Sequence, residues 1–167
     1  MSDNPISKGP IFFWKQSGKR EGAFLSYFED GLPEIEGAFE NDKKTGPWVS
    51  YHIGGNIKAK ENYKDGKYDG TIRFYYPKGN LREEAHYKLG KRDGCRKYFY
   101  KNGNLKTEEY YKNDLLHGKK KQYAGSGYLW LVENYREGKL DGPSRQYSKS
   151  GHVIRELNYK LGEPFSR

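Results

Sequence analysis

Short segments rich in aromatic and aliphatic residues recur along the chain, divided by polar turns that carry glycine. In residues 87–110 the order is Tyr-Lys-Leu-Gly-Lys, then Gly94, then Arg96-Lys97-Tyr98-Phe99-Tyr100, then Lys-Asn-Gly-Asn, then Leu105. Two such segments split by Asn-Gly predict a β-hairpin. With Gly103 in the left-handed position of a tight turn, Tyr100 pairs with Asn104, Phe99 faces Leu105, and Lys97 faces Thr107. The same count sets Tyr27, Tyr51, Tyr75, Phe99, Tyr123 and Tyr147 against Pro33, Ile57, Leu81, Leu105, Leu129 and Val153. Such cross-strand pairs are worth ~0.2–1 kcal/mol each, so their weight comes from repetition.

The hairpin recurs every 24 residues in six copies without insertion or deletion. Glycine fills one turn column completely, from Gly31 to Gly151, and a second from Gly22 to Gly142. A third column holds Gly18, Gly66, Gly90, Gly138 and Gly162, with Asp42 and Asp114 in the remaining slots. Both exceptions tolerate left-handed backbone better than most residues. The Gly22 column falls inside a strand, where glycine is unfavourable by roughly 0.5–1 kcal/mol, which predicts a bulge or a ring packed over bare backbone. Phe39, Tyr63, Tyr87, Tyr111, Tyr135 and Tyr159 form a second aromatic ladder before the next turn. The predicted fold is all-β, an elongated single-layer antiparallel meander of six hairpins. Twelve strands at ~4.8 Å spacing make it about 55–60 Å long.

Composition changes the expected core. Of 167 residues 34% are hydrophobic and 32% charged, and 21 are glycine, which argues for aromatic ladders and against a thick globular interior. Sixteen tyrosines, eight phenylalanines and three tryptophans in register argue against disorder. The expected organisation is a capping segment over residues 1–14 with the hydrophobic run Ile11-Phe12-Phe13-Trp14, six repeats over 15–158, and a truncated repeat over 159–167 stopped by Pro164. No apolar run has the length of a signal peptide or a membrane span, so the expected location is cytoplasmic, with peripheral membrane attachment as the alternative. The single cysteine, Cys95, shares its column with Ala23, Pro47, Thr71, Lys119 and Pro143 and reads as a filler.

The pattern Gly-x-x-x-x-Tyr-x-x-x-Gly, joined by Tyr-x-x-Gly-Lys-x-x-Gly, resembles the MORN-variant repeat, most fully over residues 63–79 and 135–151. The resemblance spans roughly residues 15–162. It implies kinship with bacterial MORN-repeat chains grouped as antitoxins and, at greater distance, with membrane-associated MORN proteins. The glycines and tyrosines that define the repeat build the sheet and name no partner.

Function is therefore sought where the copies differ. Residues 1–62 hold eight Lys/Arg against nine Asp/Glu, whereas residues 63–167 hold twenty-three against thirteen, so the net charge of +9 belongs to the later copies. One column changes from Leu25 and Val49 to Arg73, Lys97, Lys121 and Arg145, a basic stripe with steps of about 10 Å on the face of the Tyr27 column. Arg96 and Lys120 lie on the opposite face. The stripe is either a partner-binding surface or a solvated one in which Arg73 pairs with cross-strand Glu83. A second candidate is an aromatic patch of Tyr128, Trp130, Tyr98 and Tyr100. Trp130 takes the column of Glu34, Lys58, Arg82, Lys106 and Ile154, on the face expected to be wet, and is either a hot spot or a satellite cluster with Ile154.

Catalysis finds no support in the sequence. His52, His86, His117 and His152 occupy different columns, no carboxylate pair recurs at acid–base spacing, and no Cys/His cluster suits zinc. No catalytic residue, metal, cofactor or small-molecule substrate is expected. The expected activity is non-enzymatic protein binding, as an antitoxin- or immunity-like inhibitor that occludes a partner, such as a toxin, with one sheet face. Nucleic acid and anionic lipid are the alternative partners.

Overall fold

The computed structural model describes residues 18–166 in full and the backbone of residues 11–14. It contains no helix among these residues; its seventeen strand segments form one sheet. Lys67–Tyr68, Leu115–Leu116 and Lys139–Leu140 are each continued, one residue later, by the segment that follows. The six copies thus supply twelve strands, from Arg20–Tyr27 to Val153–Lys160, each antiparallel to its neighbours in the chain. Ile11–Trp14 pairs outside the first strand and Glu163–Phe165 outside the last. The expected single-layer meander is the observed fold.

Every aromatic residue of the Tyr27 column meets the expected aliphatic or proline partner, from Tyr27 with Pro33 to Tyr147 with Val153. Tyr100 N donates to the Asn104 carbonyl (2.8 Å), and Gly103 has φ 89°. Further along each hairpin the expected register is wrong by one. A bulge beside the Tyr27 column absorbs a residue of the second strand, so Arg73 faces Glu84 and not Glu83, and Lys97 faces Glu108 and not Thr107.

The Gly22 column is the site of a second bulge, with positive φ throughout (117° at Gly94). A ring over bare backbone does occur, but at Gly37: a β-carbon built there would lie 2.2 Å from Cδ2 of Trp48. From Asn41 and Asp42 onward, the turns of the third glycine column have two successive left-handed residues, as in Leu89 (50°) and Gly90 (86°), the signature of type I′ hairpin turns. Asp42 (67°) and Asp114 (69°) adopt the same conformation. Each carboxylate accepts from the backbone N of Arg20 or Arg92, at 2.9 Å in both cases, so the side chain ties its turn to the preceding copy.

The copies are clasped along both edges. On the type I′ edge, Gly66, Gly90, Asp114, Gly138 and Gly162 donate backbone N–H groups to the copy before, for example Gly90 to the Tyr68 carbonyl at 2.7 Å. On the other edge, Asn56, Asn80 and Asn104 donate from Nδ2 to carbonyls of the copy after, each at 2.9 Å. Tyr76 and Tyr100 add hydroxyl bonds to the Phe99 and Tyr123 carbonyls.

One face carries all the buried side chains among the described residues: Phe39, Trp48, Ala59, Ile72, Ala85, Glu109 and Leu131. Neighbouring rings and long side chains on the same side cover these residues, and this more covered side is termed the inner face. Its central row pairs Phe24 with Gly37, Trp48 with Glu61, Ile72 with Ala85, Arg96 with Glu109, Lys120 with Glu133, and Ser144 with Leu157. The early part is an aromatic cluster, with Trp48 2% exposed, stacked 5.4 Å from Phe24 and edge-on to Phe39 at 5.0 Å. Beyond Ala85 the row becomes ionic. Arg96 bridges Glu83 (2.7 Å) and Glu109 (3.2 Å), and Tyr111 donates to Glu109 at 2.9 Å.

Candidate binding surfaces

On the outer face the four cations of the expected stripe do form one row, but carboxylates interleave with them. Arg73 bonds Glu84 at 2.6 Å, Lys121 bonds Glu108 at 2.8 Å, and Arg145 bonds Glu156 at 2.8 Å. Lys97 stands in register with both Glu84 and Glu108. The bonds to Glu108 and Glu156 push the pKa values of Lys121 and Arg145 up. Glu84 and Glu108 thus alternate with Arg73, Lys97 and Lys121, while Val132 separates Lys121 from Arg145, and the row is a weaker attractor for a polyanion than four bare cations.

The aromatic candidates are not one patch. Tyr98 lies on the inner face, with the Arg96 guanidinium 5.4 Å from its ring centroid. Tyr100 sits at the turn edge, tied to the Tyr123 carbonyl at 3.0 Å, with Lys106 Nζ 5.5 Å from its ring. Tyr128 is half-buried at the next turn, where Ala124 N donates to its carbonyl. Trp130 is also half-buried. Its column lies along the margin of the inner face rather than on the outer one, because the bulge sends two successive residues to the same side. Ser26 reaches Glu34 in this column at 3.3 Å, and Arg82 stands 5.3 Å over the Phe74 ring.

That column contains what the sequence reading missed. It runs Glu34, Lys58, Arg82, Lys106, Trp130, Ile154. Lys58 and Lys106 are exposed, and no ion pair joins any of its three cations to a carboxylate among the described residues. Arg82 Nε is buried without a hydrogen-bond partner. The inner-face carboxylates are engaged elsewhere: Glu83 and Glu109 by Arg96, Glu133 by Lys120 (3.7 Å) and Tyr135, Glu61 by Tyr63 and Tyr68. Three like charges in one column were visible in the sequence; their lack of partners required the register.

On the type I′ edge, exposed Lys64 opposes Lys67 and exposed Lys88 opposes Lys91. Like charges directly opposed are unfavourable, so these pairs add positive potential without stabilising the turns. Burial pushes the half-buried Cys95 thiol up, away from thiolate chemistry. Among the described residues no group of three or more His, Cys, Asp or Glu could hold a metal ion, and no helix is long and apolar enough to cross a membrane.

Comparison with known proteins agrees with the repeat geometry. The MORN repeat variant model matches residues 44–65, 68–89, 92–113 and 140–161, starting at multiples of the 24-residue step. The matched stretches leave out residues 116–137, where Trp130 lies. No curated protein matches the chain significantly. Because the four matched copies cover just over half of its length, the chain belongs to the MORN repeat variant family.

Proposed function

We propose that the protein is a non-enzymatic protein-binding module of the antitoxin or immunity type, which inhibits its partner by laying the inner face of the sheet over it. MORN repeats are interaction modules for proteins or membrane lipids, compatible with binding and silent on the partner. The observation that carries the reading is the contrast between the faces. In the outer row Arg73, Lys121 and Arg145 are each bonded to a glutamate, whereas Lys58, Arg82 and Lys106 on the inner margin have no ion pair among the described residues, and that margin ends in exposed Ile154 (66%). Free charge beside exposed apolar surface gives a protein partner both steering and an anchor. The test is to co-express the chain with a toxin-like reading frame adjacent to its gene. Restored growth together with a stable purified complex is the expected result. A complex that leaves the toxin active overturns inhibition, and recovery of only lipid or nucleic acid overturns protein binding.

A second reading is favoured by the opposed lysines of the type I′ edge, which could meet an anionic headgroup layer. Co-sedimentation with phosphatidylserine vesicles that is lost in a Lys64→Glu/Lys88→Glu variant would support it. Unchanged sedimentation of that variant would remove it.

A further inference from the structure

We propose that Lys58, Arg82, Lys106 and Trp130 form one docking strip for an acidic, extended protein segment running along the length of the sheet. This rests on the protein-binding reading above and gives its partner a chemistry. Successive members of the column are two strands apart, a pitch of about 10 Å. Lys58, Arg82 and Lys106 have no ion pair among the described residues, so three cations without a counter-charge stand at that pitch. A polyproline II segment turns once every three residues and rises ~3.1 Å per residue, so every third side chain returns to the same side after ~9.3 Å. Carboxylates at every third position of such a segment would meet the three cations in turn. An apolar residue one turn further on would reach half-buried Trp130.

A single-stranded nucleic acid fits the strip less well. Base stacking needs open ring faces. Here the Phe74, Tyr98 and Tyr100 rings are covered by Arg82, Arg96 and Lys106, within 5.3–5.5 Å. Removing those cations to free the rings would also remove the charge that attracts phosphate.

The experiment titrates the full chain at low ionic strength with a peptide of about fifteen residues carrying Glu at every third position and Leu at the last such positions. A peptide of the same composition with Glu at every second position and oligothymidylate serve as competing probes. The expected result is binding of the first peptide, weakened about tenfold or more in Lys58→Glu/Lys106→Glu and unchanged in Lys119→Glu, an exposed outer-face control. Both inner positions are exposed, so the double variant should keep its fold, which its circular dichroism spectrum checks. Failure of the first peptide to bind, equal weakening by Lys119→Glu, equal affinity for the every-second peptide, or tighter binding of oligothymidylate each overturns the proposal. A toxin held normally by the double variant overturns the strip and leaves the protein-binding reading standing. A peptide bound at the strip with no toxin recovered does the reverse.

Discussion

Trp48 lies against Gly37 so closely that the absence of one β-carbon decides the packing of the early copies. The Gly37→Ala variant must push a 2%-exposed indole out of contact with Phe24 and Phe39. A loss of ~1–3 kcal/mol in denaturant unfolding is expected. Gly125→Ala is the matched control, since nothing lies within 4 Å and its φ is not positive; it should be neutral or slightly stabilising. The same scale contains a pH response. The backbone N–H of Arg20 or Arg92, helped by its side chain, holds Asp42 and Asp114 below the ordinary carboxylate value. Groups depressed in the folded state contribute fully above the unfolded value of about 3.9, and the contribution is lost as pH falls through the folded values. Thermal melts between pH 6 and pH 2, as a rough span, should therefore fall less steeply in Asp42→Asn/Asp114→Asn than in the wild type. Identical slopes would show that these clasps do not set the acid limb.

The central row of the inner face changes its chemistry from one hairpin to the next. Ile72 and Ala85, beside Ala59, occupy the positions that Arg96, Glu109 and Glu83 take one copy later. Replacing Arg96 alone by Ile leaves two largely buried carboxylates without their cation and should cost about 2–3 kcal/mol. The triple change Arg96→Ile, Glu83→Ala, Glu109→Ala copies the apolar version and should return stability to within about 1 kcal/mol of wild type. Additive losses in the triple variant would mean that the ionic cluster is not interchangeable with packing. This element also shows how far sequence reasoning reaches. The glycine and aromatic columns fix turn type and the pairs nearest the turn, so Tyr75 with Leu81 was legible. The extra residue of the bulge, Arg82 opposite the Phe74–Tyr75 step, lies in a column with no glycine or recurring residue type to mark it, so simple alternation pairs Arg73 with the wrong glutamate and puts Trp130 on the wrong face. Which side would carry the buried residues was not legible either, because alternation assigns residues to two faces without saying which one is the more covered.

Over the whole molecule, what could be read was the architecture; what could not was the distribution of unpaired charge. Net charge of +9 pointed to a basic surface, yet Arg73, Lys121 and Arg145, three of the four cations of the most conspicuous column, are bonded to glutamates. Lys58, Arg82 and Lys106, which have no ion pair among the described residues, sit in a column whose ends are acidic and apolar, so its mixed composition concealed it. The edge clasps have a mechanical consequence. All hydrogen bonds between copies run along the long axis, and covalent continuity in that direction passes only through the folded hairpins. A load applied between the two ends should open the sheet like a pleated bellows, each copy lengthening from about 10 Å to roughly 80 Å of extended chain. Force spectroscopy should therefore record up to six releases of roughly 70 Å, whereas one undivided rupture would mean that the clasps weld the copies into a single unit.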